Sequence, residues 1–138
     1  MPLYDNGMAH VYVALADEAA VAALRPNHRA LAELTALTGI HAGVNCFAGS
    51  GHRWRTRMFA PGDSVIEDPA TGSAAGPLAC HLARHGKIRW GDEIEIRQGV
   101  EIGRPSILRA KASGSASAIE EVRVGGQVNV LGRGELRW

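Results

Sequence analysis

The sequence predicts an α+β fold with many short strands, two peripheral helices and one buried helix. The first observation is the stretch 66–86, IEDPATGSAAGPLACHLARHG, which carries no Asp, Glu, Lys or Arg between Asp68 and Arg84. A helix that is apolar nearly all round is usually buried. The second observation is that the remaining chain divides into short segments of alternating or β-branched residues, a pattern typical of strands.

The N-terminal part predicts one strand and the two peripheral helices. Residues 10–15, HVYVAL, are rich in β-branched and aromatic residues and predict a strand. Asp17 begins an Ala-rich helix that ends before Pro26, because proline lacks the N–H that a helix interior needs. Asn27 is a suitable N-cap for a second helix over residues 28–37.

Two strands joined by a tight turn are expected next. Gly39 is expected to end the second helix, and residues 40–47 alternate as a strand does. The stretch 49–51, Gly-Ser-Gly, predicts a turn, and residues 53–59, RWRTRMF, alternate again.

The start of the buried helix is the predicted functional element. Asp68 and Ser73 lie where the unpaired backbone N–H groups of a first turn point outward. Such a terminus attracts carboxylates and phosphates. Pro77 is expected to be tolerated because it falls near the first turn. Gly86 marks the end of the helix.

The C-terminal part reads as strands throughout. Residues 93–97 alternate strictly, and residues 106–112 predict another strand. Gly125-Gly126 predicts a hairpin between strands 119–124 and 128–131. The final ELRW suggests an edge strand.

Length, composition and charge bound the class of protein. The chain has 138 residues, 46% of them hydrophobic, and a formal net charge of +1. These values indicate a single globular domain over residues 1–138 and favour neither nucleic acid nor an anionic membrane as a partner. No apolar run approaches the ~20 residues of a membrane span, and residues 1–9 lack a signal-peptide pattern. Cys46 and Cys80 do not make a disulfide framework, so a cytoplasmic location is expected.

Two other site chemistries are weaker interpretations of the helix. A hydrolase nucleophile at Ser73 would need a G-x-S-x-G turn, and the chain has Thr71 and Ala75 at the flanking positions. His81 and His85 are four residues apart on the helix, but the sequence places no third ligand beside them. We therefore expect neither a serine hydrolase nor a metal site.

The arginines of the strand 53–59 and one early histidine remain to be placed. Arg53 and Arg55 are expected to form a solvated strand face. Arg57 lies on the same strand face. The sequence leaves open whether His10 lies near the helix start or on the surface.

Five short strings of the chain occur together in one known family. They are LADEA at 15–19, RMFAP at 57–61, EDPATGSA at 67–74, QG at 98–99 and GRPS at 103–106. In these strings the chain resembles the phenazine biosynthesis PhzF family of isomerases and epimerase-like proteins. The string EDPATGSA beside R-x-F-x-P is specific, and the resemblance runs through most of the chain. Because Arg57 belongs to the second string, the resemblance implies that it is a structural partner of the loop before Asp68.

The resemblance implies a fold like that of diaminopimelate epimerase. In that fold each of two similar domains wraps a barrel-like, mostly antiparallel sheet around a central helix, and the active site lies between the two helix N-termini. It also implies proton transfer without a cofactor, in which a carboxyl group removes a proton from carbon and returns it elsewhere.

The resemblance also implies the site residues. Asp68 matches an aspartate that positions the substrate, and Ser73 with the N–H groups of Gly72 and Ser73 matches the group that holds the substrate carboxylate. The predicted catalytic residues are Asp68 and Ser73, and the predicted substrate-binding residues are Thr71, Gly72 and Ser73. Thr71 is expected chiefly to cap the helix. Glu67 does not match the family's catalytic glutamate.

The resemblance covers one half of a family member. Family proteins are about twice as long, and their first domain carries the catalytic glutamate and a Cys-Gly-His helix start that this sequence lacks. The chain is expected to correspond to the C-terminal domain and to pair with itself or with a first-half chain. The predicted function is cofactor-independent proton transfer on a small carboxylate-bearing metabolite. The alternative is a non-catalytic module that binds small acids or oligomerises.

Overall fold

The computed structural model describes residues 3–38 and 42–137. Within these residues the strands are β1 (Leu3–Asp5), β2 (Ala9–Ala14), β3 (Ala42–Ser50), β4 (Arg53–Ala60), β5 (Val65–Asp68), β6 (Glu93–Gln98), β7 (Ser106–Gly114) and β8 (Ile119–Gly126). The helices are α1 (Glu18–Ala23), α2 (His28–Thr38) and α3 (Gly72–Arg84), with a short 3₁₀ turn at Pro61–Asp63. The helix end predicted at Gly39 and the first two residues of the strand predicted over 40–47 lie outside the described residues.

All of these strands belong to one sheet. Its order is β1-β2-β3-β4-β6-β7-β8, and β5 pairs with β4 beside β6. The pairs β2–β3 and β4–β6 are parallel, and the others are antiparallel. The sheet curves around α3, which contacts β2, β6, β7 and β8. The result is a half-barrel around a central helix, which confirms the predicted fold class.

The two N-terminal helices begin at the predicted caps. The Asp17 carboxylate accepts a hydrogen bond from the Ala20 N–H, and the Asn27 side chain accepts one from the Ala30 N–H at 3.0 Å. Both bonds satisfy a donor that the first turn of a helix leaves open. Local sequence therefore determines where α1 and α2 start.

Helix α3 is buried along nearly its whole length, as predicted. Its residues 74–83 are all buried. Leu78 and Leu82 pack against Ile94, Ile96 and other side chains of the curved sheet in the main core. The helix ends at Arg84 with His85 as its C-cap, and the following Gly86 has a φ of 65°, which suits glycine. None of the helices in the described part of the chain, α3 included, is long and apolar enough to cross a membrane.

A second core lies on the outer face of the sheet. Val44, Cys46 and Phe59 pack there against Leu24 and Leu31, which come from the region of α1 and α2. Because α3 covers one face of β3 and these helices cover the other, residues 42–48 are all buried. The alternation predicted for this strand therefore separates two cores rather than core from solvent.

Pro77 lies deeper in α3 than expected. It is the sixth residue of the helix, so its missing N–H leaves the carbonyl of Ser73 without the usual partner four residues on. The Asn6 side-chain amide donates to that carbonyl at 3.1 Å. The Tyr12 hydroxyl donates to the next carbonyl, that of Ala74, at 2.6 Å. Tertiary contacts, and not nearness to the first turn, accommodate the proline.

The predicted C-terminal hairpin is wrong. Gly125 and Gly126 lie inside β8, where they pair with Arg109 and Leu108 of β7. The turn lies instead at residues 115–118, where the Ser115 N–H donates to the Ala118 carbonyl at 2.8 Å. Residues 127–137 form no strand. Glycine pairs occur both in turns and at close approaches within strands, so the pair alone misled the prediction.

His81 lies in the aromatic core at the C-terminal end of α3. Its ring stacks on Tyr12 with centroids 5.7 Å apart, and its Nδ1 lies 3.2 Å from the Tyr4 hydroxyl. Burial, with a smaller contribution from neighbouring His85, lowers the pKa of His81 from 6.5 to about 4. His81 is therefore a core residue. No cluster of three potential metal ligands occurs within residues 3–38 and 42–137.

We expect His81 to make the fold acid-sensitive. Below pH 6.5 the unfolded chain binds a proton that the folded chain does not, so the free energy of unfolding falls as the pH drops toward 4. The lowered pKa corresponds to about 3 kcal/mol at full effect, and solvent screening near the helix end reduces this to about 2 kcal/mol. Urea unfolding of the parent chain and of His81→Phe at several pH values would measure this pH dependence of the free energy of unfolding. Parallel pH curves for the two proteins would contradict the assignment.

Candidate active site

The start of α3 opens at the surface while the rest of the helix is buried. Gly72 is exposed and Ser73 is half-buried. The first intrahelical bonds run from the N–H groups of Ala74 and Ala75 to the Thr71 carbonyl. Helix geometry therefore directs the N–H groups of Gly72 and Ser73 out of the first turn, where an anion can accept their hydrogen bonds.

Asp68 is held beside the helix start by its own loop. It ends β5, and the Thr71 hydroxyl donates to its carboxylate at 2.6 Å. Thr71 occupies the N-cap position but makes no capping bond with its side chain. The expectation that Thr71 caps the helix is therefore wrong, because its hydroxyl is directed to Asp68.

The side chain of Gln98 fixes the loop from Asp68 to Thr71 through hydrogen bonds. Its amide nitrogen donates to the Asp68 carbonyl at 2.7 Å and to the Thr71 hydroxyl at 2.8 Å. Its amide oxygen accepts from the Thr56 hydroxyl at 3.2 Å and from the Thr71 N–H at 3.4 Å. Gln98 is buried at the end of β6, so this network is shielded from water and rigid.

His10 lies against Ser73 from the other side. Its Nε2 is 3.0 Å from the Ser73 hydroxyl oxygen, and its Nδ1 is 3.2 Å from the side-chain nitrogen of Asn45. His10 is fully buried and Asn45 nearly so. Burial lowers the pKa of His10, and the charge of Asp5 opposes that effect. The Ser73 hydroxyl donates to the Met8 sulfur at 3.7 Å.

Arg57 anchors the strand that leads to Asp68. Its guanidinium donates to both carboxylate oxygens of Glu67, at 2.9 and 2.8 Å. It also donates to the carbonyls of Val21, Ala22 and Leu24 at the end of α1. The guanidinium–carboxylate pair, with burial acting against it, raises the pKa of Arg57. The interpretation of Arg57 as a structural partner of this loop is confirmed, and Glu67 is its partner.

The prediction for the other two arginines is half right. Arg53 is exposed, as expected of a solvated strand face. Arg55 is not, because it pairs with Glu101 and only 16% of its side chain is exposed. Glu101 follows β6, so strand alternation alone could not reveal this partner.

The structure brings the predicted site residues together and adds three. Asp68, Thr71, Gly72 and Ser73 lie within one loop and first turn. The added residues are His10 in β2 and Gln98 in β6, which contact Ser73 and Thr71, and Asn45 in β3, which contacts His10. One signal could have found Gln98, because it is a polar residue in the buried phase of the alternating strand β6.

Comparison with known proteins places this geometry in a family. The family model of the phenazine biosynthesis-like proteins, PhzC-PhzF, matches residues 1–134. The chain belongs to this family. The resemblance inferred from the short strings is confirmed over nearly the whole chain.

Curated relatives that are 53–55% identical to this chain carry the name of one enzyme. A trans-2,3-dihydro-3-hydroxyanthranilate isomerase of Pseudomonas chlororaphis is 54% identical over 134 residues, which are 97% of this chain and 46% of that protein. The isomerase of the same name from Pseudomonas aeruginosa is 55% identical over 124 residues, 90% of this chain and 43% of that protein. The chain thus spans about half the length of the curated relatives it matches.

Solved structures support the same fold. A protein described as a predicted epimerase, from Pseudomonas aeruginosa, superposes with a TM-score of 0.69 at 32% identity, covering 94% of this chain and 43% of that chain. A PhzF-family phenazine biosynthesis protein of Bacillus anthracis superposes with a TM-score of 0.66 at 19% identity, covering 86% of this chain and 41% of that chain. The half-barrel is the diaminopimelate epimerase-like fold of these neighbours.

Proposed function

We propose that this chain is the substrate-holding half of a cofactor-independent isomerase that moves a proton on a small carboxylate-bearing metabolite. The observation that carries the proposal is the start of α3. A fixed carboxylate at Asp68, an open helix terminus at Gly72 and Ser73, and the Ser73 hydroxyl lie together there. The relatives named as isomerases of a dihydro-hydroxyanthranilate, itself a carboxylate, support this substrate class.

Each group has a distinct role in the proposed reaction. The N–H groups and hydroxyl of the helix start donate to the carboxylate of the substrate, because anions bind at helix N-termini. Asp68 is fixed by Thr71 and Gln98, so it can orient a polar group of the substrate without moving. The backbone near Thr71 completes the binding surface. The Thr71 hydroxyl does not contact the substrate in this proposal but fixes the Asp68 carboxylate.

The reaction needs a second half-domain. The resemblance to the family implies that the proton is moved by a glutamate on the first domain. Apolar side chains near the helix start suit such a partner: Met8 in the loop before β2 is 39% exposed, and Ile66 in β5 is 65% exposed. We propose that a first-half chain or a second copy covers this face and completes the site between two helix starts.

Reconstitution tests this function. The chain is mixed with the part of the Pseudomonas chlororaphis relative that it does not match, and solvent deuterium incorporated into trans-2,3-dihydro-3-hydroxyanthranilate is followed by NMR. Turnover is also measured for the chain alone, and its native mass is determined to show whether two copies pair. We expect turnover in the assembly and a loss of about 10²-fold in Asp68→Asn, because a substrate that is not oriented reacts slowly.

The control is Glu120→Gln, an acid removed from the exposed edge strand β8, which should leave turnover unchanged. Unchanged turnover in both Asp68→Asn and Ser73→Ala would contradict the proposal. Binding of a small acid at the helix start without turnover in any assembly would favour the non-catalytic binding module.

A further inference from the structure

We propose that His10, oriented by Asn45, is a positioning residue that fixes the Ser73 hydroxyl as a hydrogen-bond donor toward the substrate carboxylate. This inference rests on the function proposed above and concerns how the helix start recognises its anion. It follows from the order of donors and acceptors in the buried chain Asn45–His10–Ser73.

The Asn45 side chain determines the direction of the first bond. Its amide nitrogen lies 3.2 Å from the Gly43 carbonyl and 3.4 Å from the Val11 carbonyl. Two carbonyl oxygens would repel an amide oxygen at this position, so the group here is the NH₂ donor. The same nitrogen faces Nδ1 of His10, and Nδ1 must therefore accept.

The imidazole ring of His10 determines the direction of the second bond, the one to Ser73. A neutral histidine carries one hydrogen, and an accepting Nδ1 places it on Nε2. The Nε2–H then donates to the Ser73 oxygen 3.0 Å away. The hydrogen of Ser73 then points away from His10, toward the Met8 sulfur 3.7 Å away. A thioether sulfur is a weak acceptor, so a substrate carboxylate at the helix start can replace it. A hydroxyl that donates to an anion is what a carboxylate site requires.

The surroundings of His10 keep the ring neutral and in one orientation. A Cβ on Gly43 would lie 2.9 Å from Nδ1 and 3.3 Å from Cε1, so the ring packs directly on the glycine backbone. In the described part of the chain, the groups that face His10 are Asp5 from β1, Gly43 and Asn45 from β3 and Ser73 from α3. Asp5 is the charged member of this set, and its effect is smaller than that of burial.

The same order of bonds separates this cluster from a serine hydrolase. A catalytic serine needs a histidine that accepts its hydrogen at Nε2, and the third residue must then accept from Nδ1–H. Here the third residue donates to Nδ1, so the imidazole cannot serve as the base for Ser73. Ser73, His10 and Asn45 resemble a triad in position and are opposite to one in polarity.

The first test uses the unaltered chain. Two-bond ¹H–¹⁵N NMR distinguishes the tautomers of histidine, and we expect His10 to show hydrogen on Nε2 with an unprotonated Nδ1 from pH 7 to pH 9. Hydrogen on Nδ1, or a doubly protonated ring in this range, would overturn the proposal. The measurement needs neither substrate nor a partner chain.

The second test uses the near-isosteric variant Asn45→Asp, which replaces the donor that faces Nδ1 of His10 with an acceptor. The introduced carboxylate accepts from Nδ1–H, so above the His10 pKa in this variant the neutral ring accepts the hydrogen of Ser73. Anthranilate is the binding probe, followed by calorimetry or NMR titration. We expect its affinity to fall about tenfold or more across that titration and to stay level in the parent chain.

A double-mutant cycle with Ser73→Ala separates the hydroxyl from the added charge. The charge that Asn45→Asp introduces acts in both backgrounds, whereas the hydroxyl effect is present only where Ser73 remains. An equal effect of Asn45→Asp with and without Ser73 would overturn the proposal. If Asn45→Asp does not fold, the tautomer of the unaltered chain decides alone. The two proposals can fail separately. If the assembly shows no turnover, the isomerase function is contradicted. If His10 still carries its hydrogen on Nε2, the assignment of His10 is supported.

Discussion

Arg57→Met is expected to destabilise the domain by about 3–5 kcal/mol. The substitution leaves Glu67, whose side chain is 7% exposed, with a buried carboxylate that has lost its bidentate partner. It also removes the donors to three carbonyls at the end of α1. Urea unfolding would show this as a lower midpoint with an unchanged slope.

Two further variants make this experiment specific. Arg57→Met combined with Glu67→Leu should recover part of the loss, because an apolar pair carries no unpaired charge. Arg29→Met is the matched control, since Arg29 pairs with Glu33 at the exposed surface and such pairs contribute little. Equal destabilisation at Arg57 and Arg29 would show that the buried pair has no special role.

Gly99→Ala is expected to destabilise the domain by about 3–5 kcal/mol and to disturb the site. Gly99 has a φ of 77°, and an added Cβ would lie 2.3 Å from the Arg104 carbonyl and 2.8 Å from the Pro69 carbonyl. Pro69 follows Asp68, and Gly99 follows Gln98, so relief of the clash must move the loop that holds the carboxylate. Unfolding and NMR shifts of the Asp68 loop would measure both effects.

Gly103→Ala is the matched control for this prediction. Gly103 lies in the same connection and has a φ of 70°, but an added Cβ would meet nothing within 4 Å. Its substitution should cost only the left-handed backbone conformation, about 1–2 kcal/mol. If Gly99→Ala and Gly103→Ala lose the same stability, the close approach of Gly99 to Pro69 is not the reason why glycine is needed at position 99.

The cluster at the helix start assigns separate tasks to its residues. Asp68 and Ser73 face the proposed substrate, while Gln98, His10 and Asn45 are buried behind them. Buried networks of this kind are rigid when every member is paired. The proposed function therefore uses a site whose geometry exists before the substrate and the second half-domain arrive.

The sequence alone determined the elements that local chemistry dictates. The uncharged stretch after Asp68 specified a buried helix, Asp17 and Asn27 specified two helix starts, and strict alternation specified β6. Short strings around the helix start sufficed to identify the family. In each case the signal lies within a few residues, where backbone geometry and capping operate.

Tertiary structure alone decided which distant side chains meet. His10 and Ser73 are 63 residues apart, and Asn6 reaches the carbonyl freed by Pro77 from 67 residues away. Alternation predicts the face on which a strand residue lies, but the register and curvature of the whole sheet decide what that face meets. For the same reason Gly125-Gly126 misled as a turn signal, and the helix start proved to rest on residues from three other strands.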